Sequence, residues 1–169
     1  MSALIILVVL LAGASIAWFF THKPSTTQSS GGPSGPPARS NNPVAYLSDE
    51  EAVVAFNISF VLYLLQSIGA SELHTAPLNS DLPRIEVIVD NEAFGAEVEN
   101  KRLRIWKGGA ENEDIIIRTT KVEAVKMLRD RGYVFTSFQN GDSGIELVAG
   151  KTTLFGKGYL NLYNKLTGS

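Results

Sequence analysis

Gly144-Ile-Glu-Leu-Val-Ala-Gly150-Lys151-Thr152 has the outline of a phosphate-binding loop, with two glycines ahead of a Lys-Thr pair. In that motif the backbone amides, an ammonium and a hydroxyl meet phosphate and magnesium, but its glycines are separated by x-x-x-x, one residue fewer than here. Ile145, Leu147 and Val148 also suit a strand better than a flexible cradle. Glu97 and Glu99 share one face of a strand, as paired carboxylates for acid–base work do. Such work needs burial to shift a pKa, and an outward pair on a wetted sheet face explains them equally. His74 stands alone beside Ser71 and Glu72 and reads as a solvated loop histidine. Lys101, Arg102, Arg104 and Lys107 flank Trp106 in a small basic hairpin. It reads as a solvated edge, or as a contact for anionic lipid headgroups.

The absences narrow the field further. The 169 residues contain no Cys and two His, which excludes disulfides, thiolate zinc sites, cysteine catalysis and His-rich metal centres. Fifteen Lys and Arg against 17 Asp and Glu give a net charge of −2, so no broad nucleic-acid-binding face is expected. No constellation for hydrolysis, redox work or phosphoryl transfer remains. The expectation is a protein that is not an enzyme, with no cofactor and no metal.

The elements that would position any site begin after residue 43. Residues 1–22 form the expected transmembrane anchor. Leu4 to Phe20 runs without a charge, long enough at about 1.5 Å per residue to cross a bilayer core of about 30 Å. Trp18, Phe19 and Phe20 close it as an aromatic belt. A cleaved secretory signal would need a basic n-region, which is missing. Lys23 and Arg39 follow the span, and by the positive-inside rule they place the rest of the chain in the cytoplasm. Residues 23–43, rich in Pro, Gly, Ser and Thr, hold no apolar periodicity and read as a flexible linker. Lys23 and Arg39 lie outside the body that follows, so of the chain's charges that body holds 13 basic and 17 acidic residues.

Within residues 44–169 the spacing predicts an α+β domain, an antiparallel sheet of about five strands with helices packed on one face. Ser48-Asp-Glu-Glu51 is a capping box that opens a helix running to Ile68 and stopping at Gly69. From Ala52 to Leu65 only Asn57 and Ser59 are polar. Fourteen residues are too few for a second span, so this helix is buried on two sides, covers a ligand, or meets a partner. Ile85, Val87 and Val89 alternate in a first strand, Phe94, Ala96 and Val98 in a second, and Leu103 and Ile105 in a third after an Asn100-Lys101 turn. Ile115-Ile-Ile117 marks a fourth strand, all four reading as one antiparallel meander. Thr120-Lys-Val-Glu123 is a second capping box, and Gly132 ends its helix. Gly132 to Asp142 reads as a strand and a turn, Ile145 to Ala149 as a strand, and Thr152 to Leu166 as a helix weakened by Gly156 and Gly158.

From Arg84 to Leu166 this order resembles the sterol-carrier-protein type of lipid-binding domain. The resemblance rests on Ile85-Glu-Val-Ile-Val, on Val98-Glu-Asn-Lys-Arg-Leu-Arg-Ile105 and on Gly108-Gly109. Glu113-Asp114-Ile-Ile-Ile117 before the Thr120 cap, and the closing Ser143-Gly144, Ile145–Ala149 and Gly150, complete it. It implies a curved sheet covered by helices around an apolar tunnel for an acyl chain, sterol or phospholipid. Phe56, Phe60, Leu64, Val125, Leu128, Phe135, Phe138, Leu154 and Leu162 are the candidates to line it, each of which can equally be ordinary core.

The expected function is therefore a membrane-tethered, non-catalytic domain that holds an acyl or isoprenoid chain in an apolar cavity. Its partners are the bilayer, through residues 4–20, and a lipid. The alternative is a membrane-anchored interaction or oligomerisation module that uses the apolar helix 52–65 against a second copy or a protein partner.

Overall fold

Two short helices, not one long one, open the domain. Ser48 accepts from the Glu51 amide, and the Glu51 carboxylate returns to the Ser48 amide at 2.7 Å, starting α1 (Asp49–Val54) with three acidic residues in its first turn. The helix stops at Ala55 because Asn57 caps a second one: its Oδ1 accepts from the Ser59 amide at 2.8 Å and starts α2 (Ile58–Ile68). Gly69 ends α2 with φ +89°, the left-handed region that glycine enters most readily. A 3₁₀ turn (Ala70–Glu72) follows.

The computed structural model describes residues 42–77 and 80–168. The expected anchor over 1–22, and the expected linker up to residue 41, lie outside them. Among the described residues no helix is long and apolar enough to cross a membrane.

Strands β1 (Arg84–Val89), β2 (Glu92–Glu99), β3 (Arg102–Lys107), β4 (Ile115–Thr119) and β5 (Gly144–Leu147) form one sheet in the order β3-β2-β1-β4-β5. The expected all-antiparallel meander holds only for β1–β2–β3. Strand β4 lies parallel to β1, with Val87 beside Ile117, and the sheet is mixed. Its three consecutive isoleucines are all buried, as a strand enclosed on both faces requires, and the interior of the sheet provides that place. The connection after β3 crosses the open face to reach it. Trp106 Nε1 donates to the Gly109 carbonyl at 3.2 Å, and the Ala110 amide donates to Glu86 at 3.1 Å. The Asp114 amide then donates to the Arg84 carbonyl at 2.9 Å. Asn100 and Lys101, at φ +50° and +63°, make the two-residue turn expected between β2 and β3.

Helices α3 (Lys121–Arg129), α4 (Tyr133–Asn140), α5 (Lys151–Gly156) and α6 (Tyr159–Thr167) complete the fold. Tyr133–Asn140 is helical, not the expected strand and turn. Its aromatic and β-branched content favours a strand locally, and packing against α3 and α6 overrides that preference. The expected last helix is two, divided at Lys157-Gly158, where Gly158 takes φ +85°. Ile85, Val87, Val89, Phe94, Ala96, Val98, Ile115 and Ile117 face the helices in one apolar core, while Arg84, Glu86 and Ile88 on the other side are half-exposed. The described residues form one compact unit around that core, and so contain what the domain needs to fold alone.

On the open face Gly95 lies under the Trp106 ring, and a β-carbon there would come within 2.3 Å of it. Gly95→Ala is expected to lift the indole off the sheet and lower stability by about 1–3 kcal/mol. Urea unfolding measures the loss, and Trp fluorescence of the folded variant reports whether the ring has moved.

Candidate functional site

The helices meet the sheet along an apolar seam. Leu64, Leu65 and Ile68 lie on the buried stripe of α2, Val87 and Ile117 oppose them as register partners on β1 and β4, and Met127 of α3 closes one side. Phe138 of α4 completes the lining and is its one half-exposed member. The space enclosed is about 10 Å³, room for about one water at most, and its walls carry no polar group to hold one.

The residues expected to line a tunnel are dispersed. Phe60, Leu64, Val125, Leu128, Leu154 and Leu162 are buried in the common core. Phe56 is half-buried against the Phe60 ring, with centroids 5.1 Å apart. Phe135 is 38% exposed, its ring against Gly168 at the C-terminal end of α6. Only Leu64 and Phe138 of the nine reach the seam. Leu65 and Ile68 could have been found as continuations of the Leu64 stripe, whereas Val87, Ile117 and Met127 depend on the parallel pairing of β1 with β4. The apolar run 52–65 likewise turns much of its surface inward, burying Phe60, Val61, Leu64 and Leu65.

Two buried polar clusters frame the seam. At one end of the sheet Lys157 Nζ donates to both oxygens of Asp114, at 2.9 and 3.0 Å, and to the Leu82 carbonyl at 3.0 Å. Asp114 also accepts from the Arg84 amide at 2.8 Å and from the Tyr159 hydroxyl at 3.0 Å. Burial, then the charge of Asp114, drive the Tyr159 hydroxyl far above its ordinary pKa, so it stays a donor. At the other end Ser137 links α4 to α3 by donating to Glu123 at 3.0 Å, and its oxygen lies 2.8 Å from Ser143, itself 2.8 Å from Thr119. Burial raises the Glu123 pKa, but hydrogen bonds from Lys126, Ser137 and Tyr133 outweigh it and leave the carboxyl below its usual range. Thr120 caps α3 as expected, donated to by the Glu123 amide, but the Glu123 side chain turns inward instead of closing the box. Ser137 is fully buried, so this chain of hydroxyls ties elements together and presents no nucleophile to solvent.

The surface groupings resolve in the same way. Glu97 is held by Arg84 at 3.0 Å and Arg104 at 3.4 Å, a neutralised carboxylate on the open face. Gly144–Leu147 is a strand, so the loop that resembled a phosphate cradle has no cradle geometry. His74 is exposed on a hollow of about 480 Å³ of mixed lining, with Glu72, Asn161, Asn164 and Lys165 beside Leu73 and Leu162. Lys107 and Lys121 each contact Glu92 at 2.9 Å, and part of the basic hairpin is thereby paired.

Hydrogen bonds from Lys121 and Lys107, with their charges, lower the Glu92 carboxyl from its ordinary 4.5 to about 2. Its contribution to stability is therefore complete above 4.5 and is lost as pH falls from there toward 2. Glu92 is more than a third exposed, so water screens it and the effect is small. Glu92→Gln is expected to flatten the acid limb of stability between those pH values, as read from thermal midpoints, and to leave neutral pH nearly unchanged.

No family model matches this sequence, and no curated protein matches it. Among solved structures the chain is similar to one described as "UbiJ-SCP2 Ubiquinone synthesis protein", at 13% identity and a TM-score of 0.35, over 66% of this chain and 84% of that one.

Proposed function

We propose that this domain binds a lipid by its apolar chain, without catalysis, at the seam between α2, α3, α4 and the sheet. The observation that carries the reading is the seam itself: seven apolar side chains from three helices and two strands converge with no polar group among them. The resemblance of Arg84–Leu166 to sterol-carrier domains points to the same ligand class. Ligand pockets commonly measure about 300–1,000 Å³, so a chain enters only if the seam opens. Helix α4 is the element to move, at the cost of the buried hydrogen bonds that Ser137 makes to Glu123 and Ser143. It is eight residues long, carries Phe138 at the solvent side, packs on α3 and α6, and is bounded by Gly132 and Gly141. Burial of the ligand drives uptake at about 25 cal/mol per Å². The apolar segment 4–20 keeps the domain beside the bilayer that supplies the ligand, on the cytoplasmic side.

Residues 42–169, purified without detergent, test this directly. Native mass spectrometry followed by organic extraction is expected to find an acyl-chain or isoprenoid lipid at up to one per chain. An empty protein that takes up no added palmitate would overturn the reading.

A further inference from the structure

The sheet has two edges, and they differ in chemistry. β3 carries Arg104 and Lys107, paired with Glu97 and Glu92 of β2, and Arg102 with Lys101 beside it, so a second copy brought to this edge would set Arg102 and Lys101 against like charge. β5 has one charged residue, Glu146, paired with Arg118 of β4 at 3.4 Å. Its last residue, Leu147, is 39% exposed, and Val148 directly after it is 46% exposed.

The hydrogen-bond phase of β5 shows what its edge offers. The Asp90 amide donates to the Thr119 carbonyl at 3.0 Å, continuing the parallel ladder in which Ile115, Ile117 and Thr119 turn their backbone groups to β1, so Ile116 and Arg118 turn theirs to β5 and form the hydrogen-bonded pairs Ile116–Glu146 and Arg118–Gly144. In an antiparallel ladder such pairs alternate, so Glu146 and Gly144 bond to β4 while Ile145 and Leu147 turn their amides and carbonyls outward. Water satisfies these groups in the monomer, and another extended chain satisfies the whole row in its place.

We propose that β5 pairs antiparallel with β5 of a second copy, about a two-fold axis at Ile145, to continue the sheet across the dimer. The two Ile145 residues then exchange both backbone hydrogen bonds, and Gly144 of each copy opposes Glu146 of the other. Arg118 stands beside Gly144 in the register of β4 with β5. Because Gly144 has no side chain, Arg118, paired with Glu146 of its own copy, also lies open to the facing Glu146 of the other, and the symmetry repeats this, so the four charges meet as one alternating cluster. Charge complementarity is thus built into the edge itself, and Leu147 is covered in the same step. The strand is four residues long, so the contact belongs to the small interfaces of weak, concentration-dependent dimers. This inference does not depend on lipid binding.

The chain's lack of cysteine makes the test clean. In residues 42–169, Ile145→Cys is expected to form a disulfide-linked dimer under mild oxidation, while Arg104→Cys on the opposite edge remains monomeric. Sedimentation of the cysteine-free protein is expected to show a reversible dimer in the micromolar range. Glu146→Arg sets like charge against Arg118 and weakens that dimer at least tenfold, and adding Arg118→Glu restores it. A monomer at all concentrations, cross-linking at Arg104 in place of Ile145, or no recovery in the charge-swapped pair would each overturn the proposal.

Discussion

Lys157→Met is expected to lower the unfolding free energy of residues 42–169 by about 3–5 kcal/mol, because it leaves the Asp114 carboxylate buried without its counter-charge. Asp114 and Lys157 are both about 3% exposed, and the pair joins the start of β4 to the turn between α5 and α6. The donors that remain, the Arg84 amide and the Tyr159 hydroxyl, supply dipoles where a full charge was. The loss is asymmetric. Adding Asp114→Asn removes the stranded charge and keeps an oxygen to accept from Arg84, so the double variant is expected to be more stable than Lys157→Met alone. Urea unfolding at pH 7 measures both. A loss below about 1 kcal/mol for Lys157→Met would show that water reaches the pair and that α6 is not held to the sheet by it.

That pair marks a limit of the sequence as evidence. Asp114 reads as the first residue of a strand and Lys157 as a residue of the last helix, between the two glycines that weaken it. They lie 43 positions apart, and no periodicity links them. Signals that act within one turn of chain are readable: the Ser48–Glu51 box, the Asn100-Lys101 turn and the Gly69 stop all behave as their local chemistry dictates. Asn57 carried such a signal too, since one amide inside an apolar run is a cap that divides it. Strand placement is different. The place of β4 beside β1 is set by tertiary burial, and the hint was Ile115-Ile-Ile117, a run with no polar alternation that suits the middle of a sheet better than the end of a meander. Once β4 is misplaced the site is misplaced with it, because Val87 and Ile117 face each other across that pairing. Helix α4 shows the opposite failure. Tyr133-Val-Phe135 has strand propensity, yet Ser137 and Phe138 are placed by contacts with α3 and the seam.

The sharpest separation of packing from function comes at Leu65. Its side chain is fully buried on α2 and lines the seam with Val87 and Ile117. Leu65→Ala is expected to lower the stability of the ligand-free domain by about 3–5 kcal/mol, the transfer and cavity terms of a buried leucine together. Under the proposed function the same change helps the ligand, because an acyl chain fills the space that the truncation leaves and less of the seam has to be opened. If about 1.4 kcal/mol of the opening cost is removed, palmitate binds about tenfold more tightly. Palmitate at 100 times its Kd then returns about 2.7 kcal/mol to the folded state. The parent, at 10 times its own Kd under the same conditions, gains about 1.4 kcal/mol, so palmitate narrows the stability gap between variant and parent by about 1.3 kcal/mol and leaves the rest. Leu166 supplies the comparison, a leucine as deeply buried on α6 that does not line the seam. Leu166→Ala is expected to lose similar stability without any gain in affinity. Urea unfolding with and without palmitate, together with a direct palmitate titration, reads all of these quantities. Equal affinity gains in both variants would place the ligand elsewhere in the core, and a loss of affinity in Leu65→Ala would remove the seam as its site.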